Sequence, residues 1–109
     1  MENNTVEQGK TIAIISYITI IGTLIAILMN NEKKNSFAAF HNRQALGINL
    51  MFYFVGWFVG YFNNWTISSA FYVFCFVLWI FSFIGAVQGE QKLAPLVGNY
   101  FQDWFKNLT

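Results

Sequence analysis

The sequence predicts an all-α integral membrane protein: three transmembrane helices, the second and third paired as a tight hairpin, then a C-terminal amphipathic helix lying in the interface. Two blanks in the charge pattern and one periodic tail carry this prediction. No charged residue occurs between Thr11 and Met29, and none between Gln44 and Gly89. About 18 or more uncharged, apolar residues suffice to cross roughly 30 Å of hydrocarbon. The chain of 109 residues is 56% hydrophobic, 20% aromatic and only 10% charged, against roughly 25% charged in soluble domains. A formal net charge of +1 gives no basic field for nucleic acid. The length suits one membrane domain spanning residues 1–109.

The first ten residues, a tail containing Glu2 and Glu7, lack the basic start of a cleavable signal, so the first apolar run is expected to stay. That run, Thr11 to Met29, is expected to be span one. Its eight isoleucines and two leucines contribute about −4 kcal/mol toward insertion. The β-branched bias would favour a strand in water, but a lone strand cannot satisfy its backbone in lipid, so a helix is expected. Ser16, Thr19 and Thr23 are expected to bond back onto that helix. A polar, cytoplasmic loop follows over residues 30–36, with Ser36 as N-cap. A helix with a polar start and span two then occupy residues 37–62. Span three occupies residues 67–87. The short Asn63–Thr66 connection makes the two spans antiparallel neighbours.

After Gly89 the pattern changes. Leu93, Leu96, Val97, Tyr100, Phe101, Trp104, Phe105 and Leu108 recur at helical spacing, with Asn, Gln, Asp and Lys opposite them. This predicts an amphipathic helix over residues 93–108, begun near Pro95, too polar on one side to span a bilayer. The alternative is that its apolar face packs on the chain's own spans or on a second subunit. Three spans place Lys10 alone on the N-terminal side, against Lys33, Lys34, Arg43, Lys92 and Lys106 on the other. By the positive-inside rule the N-terminus is then outside and the C-terminus cytoplasmic. Trp65 is expected to anchor the outer interface, and Tyr100, Trp104 and Phe105 the inner one.

One dense polar patch joins a span. In Phe37 to Ala45, residues Phe37, Phe40, His41, Gln44 and Ile48 share a helix side. His41 and Gln44 should enter the bundle, while Arg43 reaches toward phosphate headgroups. Two readings stand here: cross-linking of neighbouring helices, for example to Gln88, or contact with a partner or substrate through Phe40, His41, Arg43 and Gln44. Metal binding is not expected, because no second His and no thiol lies at ligand spacing. No cofactor is expected, and no catalytic residue is assigned: His41 has no partner acid, and Glu32 and Glu90 fall in loops. Cys75 reads as a small packing residue. Gly56 and Gly60 form a GxxxG in span two, and Gly85 and Gly89 repeat the spacing at the end of span three. Such faces let helices approach closely, within the chain or between two copies.

The order of elements, with Phe40-His41-Asn42-Arg43-Gln44-Ala45 leading into two closely linked spans and Gly89 followed by Pro95-Leu96, resembles small bacterial membrane proteins related to the twenty-kilodalton Tic import component of chloroplasts. The resemblance runs from Lys10 to Leu96. It implies a multi-pass protein of the bacterial plasma membrane. It also implies a role beside other membrane proteins, since the chloroplast member, with four spans, is a subunit of a protein-conducting translocon. This chain has three candidate spans, and an amphipathic tail stands where a fourth would be. The expected function is therefore a non-enzymatic scaffold or accessory subunit of a membrane complex. The alternative is a component of a protein or solute translocation channel built as a homo-oligomer. The expected partners are the lipid bilayer and other membrane proteins or further copies of the chain.

Overall fold

A computed structural model describes residues 3–95 and 97–107. Among them all regular structure is helical: α1 (Asn3–Ile18), α2 (Ile20–Lys33), α3 (Ser36–Leu50), a π-helical turn (Met51–Val55), α4 (Gly56–Gly60), α5 (Trp65–Gln88) and α6 (Gly98–Trp104). The all-helical expectation holds. One of these helices, α5, is long and apolar enough to cross a membrane, by length and composition. Its 24 residues reach about 36 Å. Only 28% of its most apolar window is buried inside the molecule, which sets it apart from the core helix of a soluble domain.

The expected span one is not a single helix. At Thr19 the backbone turns extended, with φ −150° and ψ 172°, and the chain reverses. Ile12 of α1 meets Ala26 of α2 in one buried cluster with Ala38. Polar side chains inside the apolar run make the break tolerable, because a helix end strands backbone groups that must find partners. The Thr19 hydroxyl oxygen accepts from Gly22 N–H at 3.0 Å, capping α2. The Thr23 hydroxyl donates to the Ser16 carbonyl at 2.6 Å, the Ser16 hydroxyl to the Ala13 carbonyl at 2.6 Å, and the Trp79 indole to the Tyr17 carbonyl at 2.6 Å. Gly22 is required because any Cβ there would run into the Ile15 carbonyl oxygen. Ser16 bonds back onto its own helix as expected, and Thr23 also reaches back to the Thr19 carbonyl at 3.1 Å, but the Thr19 cap and the Thr23–Ser16 bond close a helical hairpin.

That hairpin lies along α3. Gly9 sits against Asn35 and Ala38, and Tyr17 reaches His41 and Gln44, so α1 runs parallel to α3. Asn30 bonds across to Asn35 and Asn49 donates to Thr23, so α2 runs antiparallel to α3. The hairpin tip stops halfway along α5: Ile18 and Thr19 share a side cavity of about 660 Å³ with Asn49, Phe52, Tyr72 and Cys75.

The expected loop over residues 30–36 shrinks to Lys34 and Asn35, because α2 continues to Lys33. Lys34 closes α2 in the left-handed region, φ 49°. Asn35, rather than Ser36, caps α3 through its side-chain oxygen on Ala38 N–H. From Ser36 the backbone stays right-handed helical through the π-helical turn to Gly60. Asn63 and Asn64 make the turn, and the Asn64 side chain caps α5. Gly89 ends α5 at φ 77°, a conformation glycine adopts without Cβ strain. The expected amphipathic helix over residues 93–108 is helical only over Gly98–Trp104, and Leu96 and Leu108 lie outside the described residues. Its Phe101 packs onto Gly47 of α3, where a Cβ would collide with the ring. The tail is docked on the chain's own helices.

The expected topology also changes. Val6 lies against Gly89, Gly9 against Asn35, and His41 against Glu90. The start of α1, the α2–α3 turn and the end of α5 therefore share one end of a molecule 47 Å long. The Asn63–Asn64 turn occupies the other. The two-sided arrangement expected from three straight spans, with the N-terminus opposite the C-terminus, does not follow from a reversed first run.

Candidate functional site

The polar patch folds inward. Tyr17, His41 and Gln44 are all essentially inaccessible to solvent, and each polar atom has a defined role. His41 Nε2 lies 2.8 Å from the Glu90 carbonyl. A carbonyl only accepts, so Nε2 carries the proton, and in the neutral ring Nδ1 must accept. It does so from the Tyr17 hydroxyl at 2.6 Å. The Gln44 amide nitrogen donates to Tyr17 Oη at 3.2 Å and to the Lys92 carbonyl at 2.9 Å. Its oxygen accepts from Ala94 N–H at 2.7 Å. The backbone partners leave no freedom in the amide's orientation. Ser82 Oγ, also buried, lies beside the same phenol without reaching hydrogen-bond geometry. The rings of Phe37 and Phe40 stand edge-on to His41, with centroids 4.8 and 5.0 Å away.

Solvent is excluded from the His41 ring, and both of its hydrogen bonds suit the neutral form. The result is a clamp. One side chain on α1 and two on α3 grip the irregular backbone of residues 90–94, which has no secondary structure to satisfy its own groups.

The Phe40 carbonyl and the Arg43 side chain engage the tail. The Phe40 carbonyl accepts from Gln102 Nε2 at 2.8 Å. The Arg43 guanidinium donates to Gln102 Oε1 at 3.4 Å and to the Lys106 carbonyl at 3.1 Å. Of the four residues expected to meet a partner or substrate, His41 and Gln44 are thus sealed inside, and Phe40 and Arg43 hold α6. The bonds of His41 and Gln44 to Tyr17 join α3 to α1, and their other partners are the loop backbone at Glu90, Lys92 and Ala94 rather than Gln88.

The glycine pairs divide. A Cβ on Gly56 would make ordinary contact with Phe71 and Tyr72 of α5, while one on Gly60 would meet nothing within 4 Å. Gly85 is approached by the returning loop at Lys92, and Gly89 by Val6. The tightest approaches lie at Gly9, Gly22 and Gly47, outside both pairs, and within the pairs only Gly89 is approached closely enough to exclude a Cβ. At the expected interfacial positions, Trp65 is 85% exposed, Tyr100 and Trp104 are exposed, and Phe105 is half-buried. Among the described residues no group of three or more His, Cys, Asp or Glu side chains converges.

Residues missed from the sequence include Tyr17 and Trp79, each bonded to a residue more than twenty positions away. A signal was available for one of them: Tyr17 is the only aromatic residue between Thr11 and Met29. Comparison with protein-family models, with curated proteins and with solved structures returns no match.

Proposed function

We propose that this chain is a non-enzymatic, multi-pass membrane protein that serves as a small scaffold or accessory subunit of a membrane complex. It crosses the bilayer twice, by the helix running into Gly60 and by α5. The α1–α2 hairpin dips in from one side and returns. The observation that carries the reading is the charge distribution. All six Lys and Arg residues belong to the end that holds the α2–α3 turn and the tail, and the Asn63–Trp65 turn at the opposite end is uncharged. By the positive-inside rule that basic end is cytoplasmic, and it includes the N-terminus. Six against none is a stronger bias than the five against one of a three-span arrangement.

The Tyr17–His41–Gln44 clamp supports a structural role for the patch, because every polar atom in it is engaged and enclosed. The lipid-facing side near Gly60, flanked by the exposed rings of Trp57 and Tyr61, is the surface open to a second helix, from a partner or another copy. The Tic-like resemblance in Phe40–Ala45 supports the company of other membrane proteins in a bacterial plasma membrane. It also keeps a second reading, a homo-oligomeric translocation component. Affinity capture of the tagged protein from native membranes in mild detergent, with native mass determination, tests the proposal. Recovery in stoichiometric complex with another membrane protein supports the accessory-subunit reading. A homo-oligomer supports the second reading. A bare monomer contradicts both.

A further inference from the structure

We propose that the face of α3 beside α6 binds one anionic phospholipid, its phosphate held by Lys34 and Arg43 and one acyl chain laid along Gly47 to Phe54. This rests on the membrane reading above. Two cavities lie along this face, one lined by Asn107 of the tail and the other by α6 itself. The first, about 380 Å³, is lined by Asn31, Lys34, Ser36, Arg43 and Asn107 among others and by no carboxylate. It lies at the N-terminal turn of α3, where helix-end N–H groups and the macrodipole favour an anion. The second, about 470 Å³, is almost wholly apolar, with Gly47, Leu50, Phe54, Phe101 and Trp104 in its wall.

Ala39, Arg43, Gly47 and Leu50 of α3 and Phe54 of the π-helical turn follow at spacings of three or four and so share one side. The cationic cavity is therefore followed, on the same side, by the apolar one. The stretch from Ala39 to Phe54 is about 22 Å long at a rise of ~1.5 Å per residue. One leaflet, half of a bilayer ~40–45 Å thick with its headgroups, has the same depth. The order also matches the proposed orientation: the cationic cavity is at the basic end and the apolar one deeper. Charge, polarity and length together select an amphiphile with an anionic head rather than a free anion or a neutral lipid.

Native mass spectrometry of the intact chain in non-ionic detergent tests this, with phosphatidylglycerol, phosphatidylcholine of the same acyl chains, or inorganic phosphate added. One phosphatidylglycerol should be retained per chain in preference to phosphatidylcholine. Each cation near an anionic headgroup contributes roughly fivefold, so Lys34→Gln should cut the preference by about that factor and Lys34→Gln with Arg43→Gln should abolish it. Lys33→Gln removes the same charge one residue away and should leave the preference intact. Leu50→Trp, which fills the apolar cavity, should reduce retention of both lipids. Lys34 has no side-chain bond among the described residues, so its variant reads binding even where the Arg43 variant loosens the tail. Equal retention of the two lipids, or a preference that survives Lys34→Gln, overturns the proposal. Displacement of the lipid by phosphate alone would leave an anion site and remove the acyl-chain half. Extraction of the protein from membranes by alkaline carbonate would instead sink the membrane reading on which the site rests.

Discussion

His41 and Gln44 sit on adjacent turns of one helix and hold one loop between them. Gln44→Leu removes three hydrogen bonds and strands the Ala94 N–H and Lys92 carbonyl in a buried place. A buried group left without a partner costs about 1–3 kcal/mol, so destabilisation of that order is expected, measurable by denaturation in detergent. His41→Ala with Gln44→Ala should release residues 90–107 to protease, whereas Arg43→Lys should not, because the clamp stays intact. Asn42 makes the opposite case. Both polar atoms of its side chain are buried without a partner among the described residues, so Asn42→Leu should cost little, while Asn49→Leu, which breaks the bond to Thr23, should cost about 1 kcal/mol.

At the scale of elements, what the sequence discloses depends on how local the cause is. The α5 helix and the Asn63–Asn64 turn were legible because hydropathy and an Asn cap act within a few residues. The bend at Thr19 was not. Ser16, Thr19 and Thr23 are visible in the run, but threonine and serine serve equally well inside a straight membrane helix. The decision falls to Gly22, which lets the Ile15 carbonyl approach, and to Trp79, which satisfies the Tyr17 carbonyl from 62 positions away. In a Cys75→Ser background, a cysteine pair at Ile12 and Ala26 should cross-link, since both positions are buried in one cluster. Adding Gly22→Leu should abolish that cross-link, because the side chain collides with backbone. The tail shows the same limit. Its apolar spacing was legible, but helix forms only where Phe101 can enter the gap above Gly47, and residues 90–94 are instead fixed by the clamp.

For the whole molecule, the patch was found in the sequence by its polarity and its place, and its inward orientation by spacing. Its partners were out of reach, because they are backbone groups of a loop some fifty residues away. The GxxxG pairs were legible as motifs but not as contacts. Gly60→Leu should leave the stability of the monomer within about 0.5 kcal/mol of the parent, and it should weaken association only in an assembly that uses this face. The first apolar run decides the topology. A straight span puts the N-terminus and the Asn63–Asn64 turn on one side of the membrane, and a hairpin puts them on opposite sides. Single cysteines at Glu7, Asn31 and Asn64, each in a Cys75→Ser background, can be labelled with an impermeant maleimide in sealed vesicles of known orientation. The account predicts that positions 7 and 31 react from the cytoplasmic side and position 64 from the other. Reaction of positions 7 and 64 from the same side would contradict the hairpin and restore three spans.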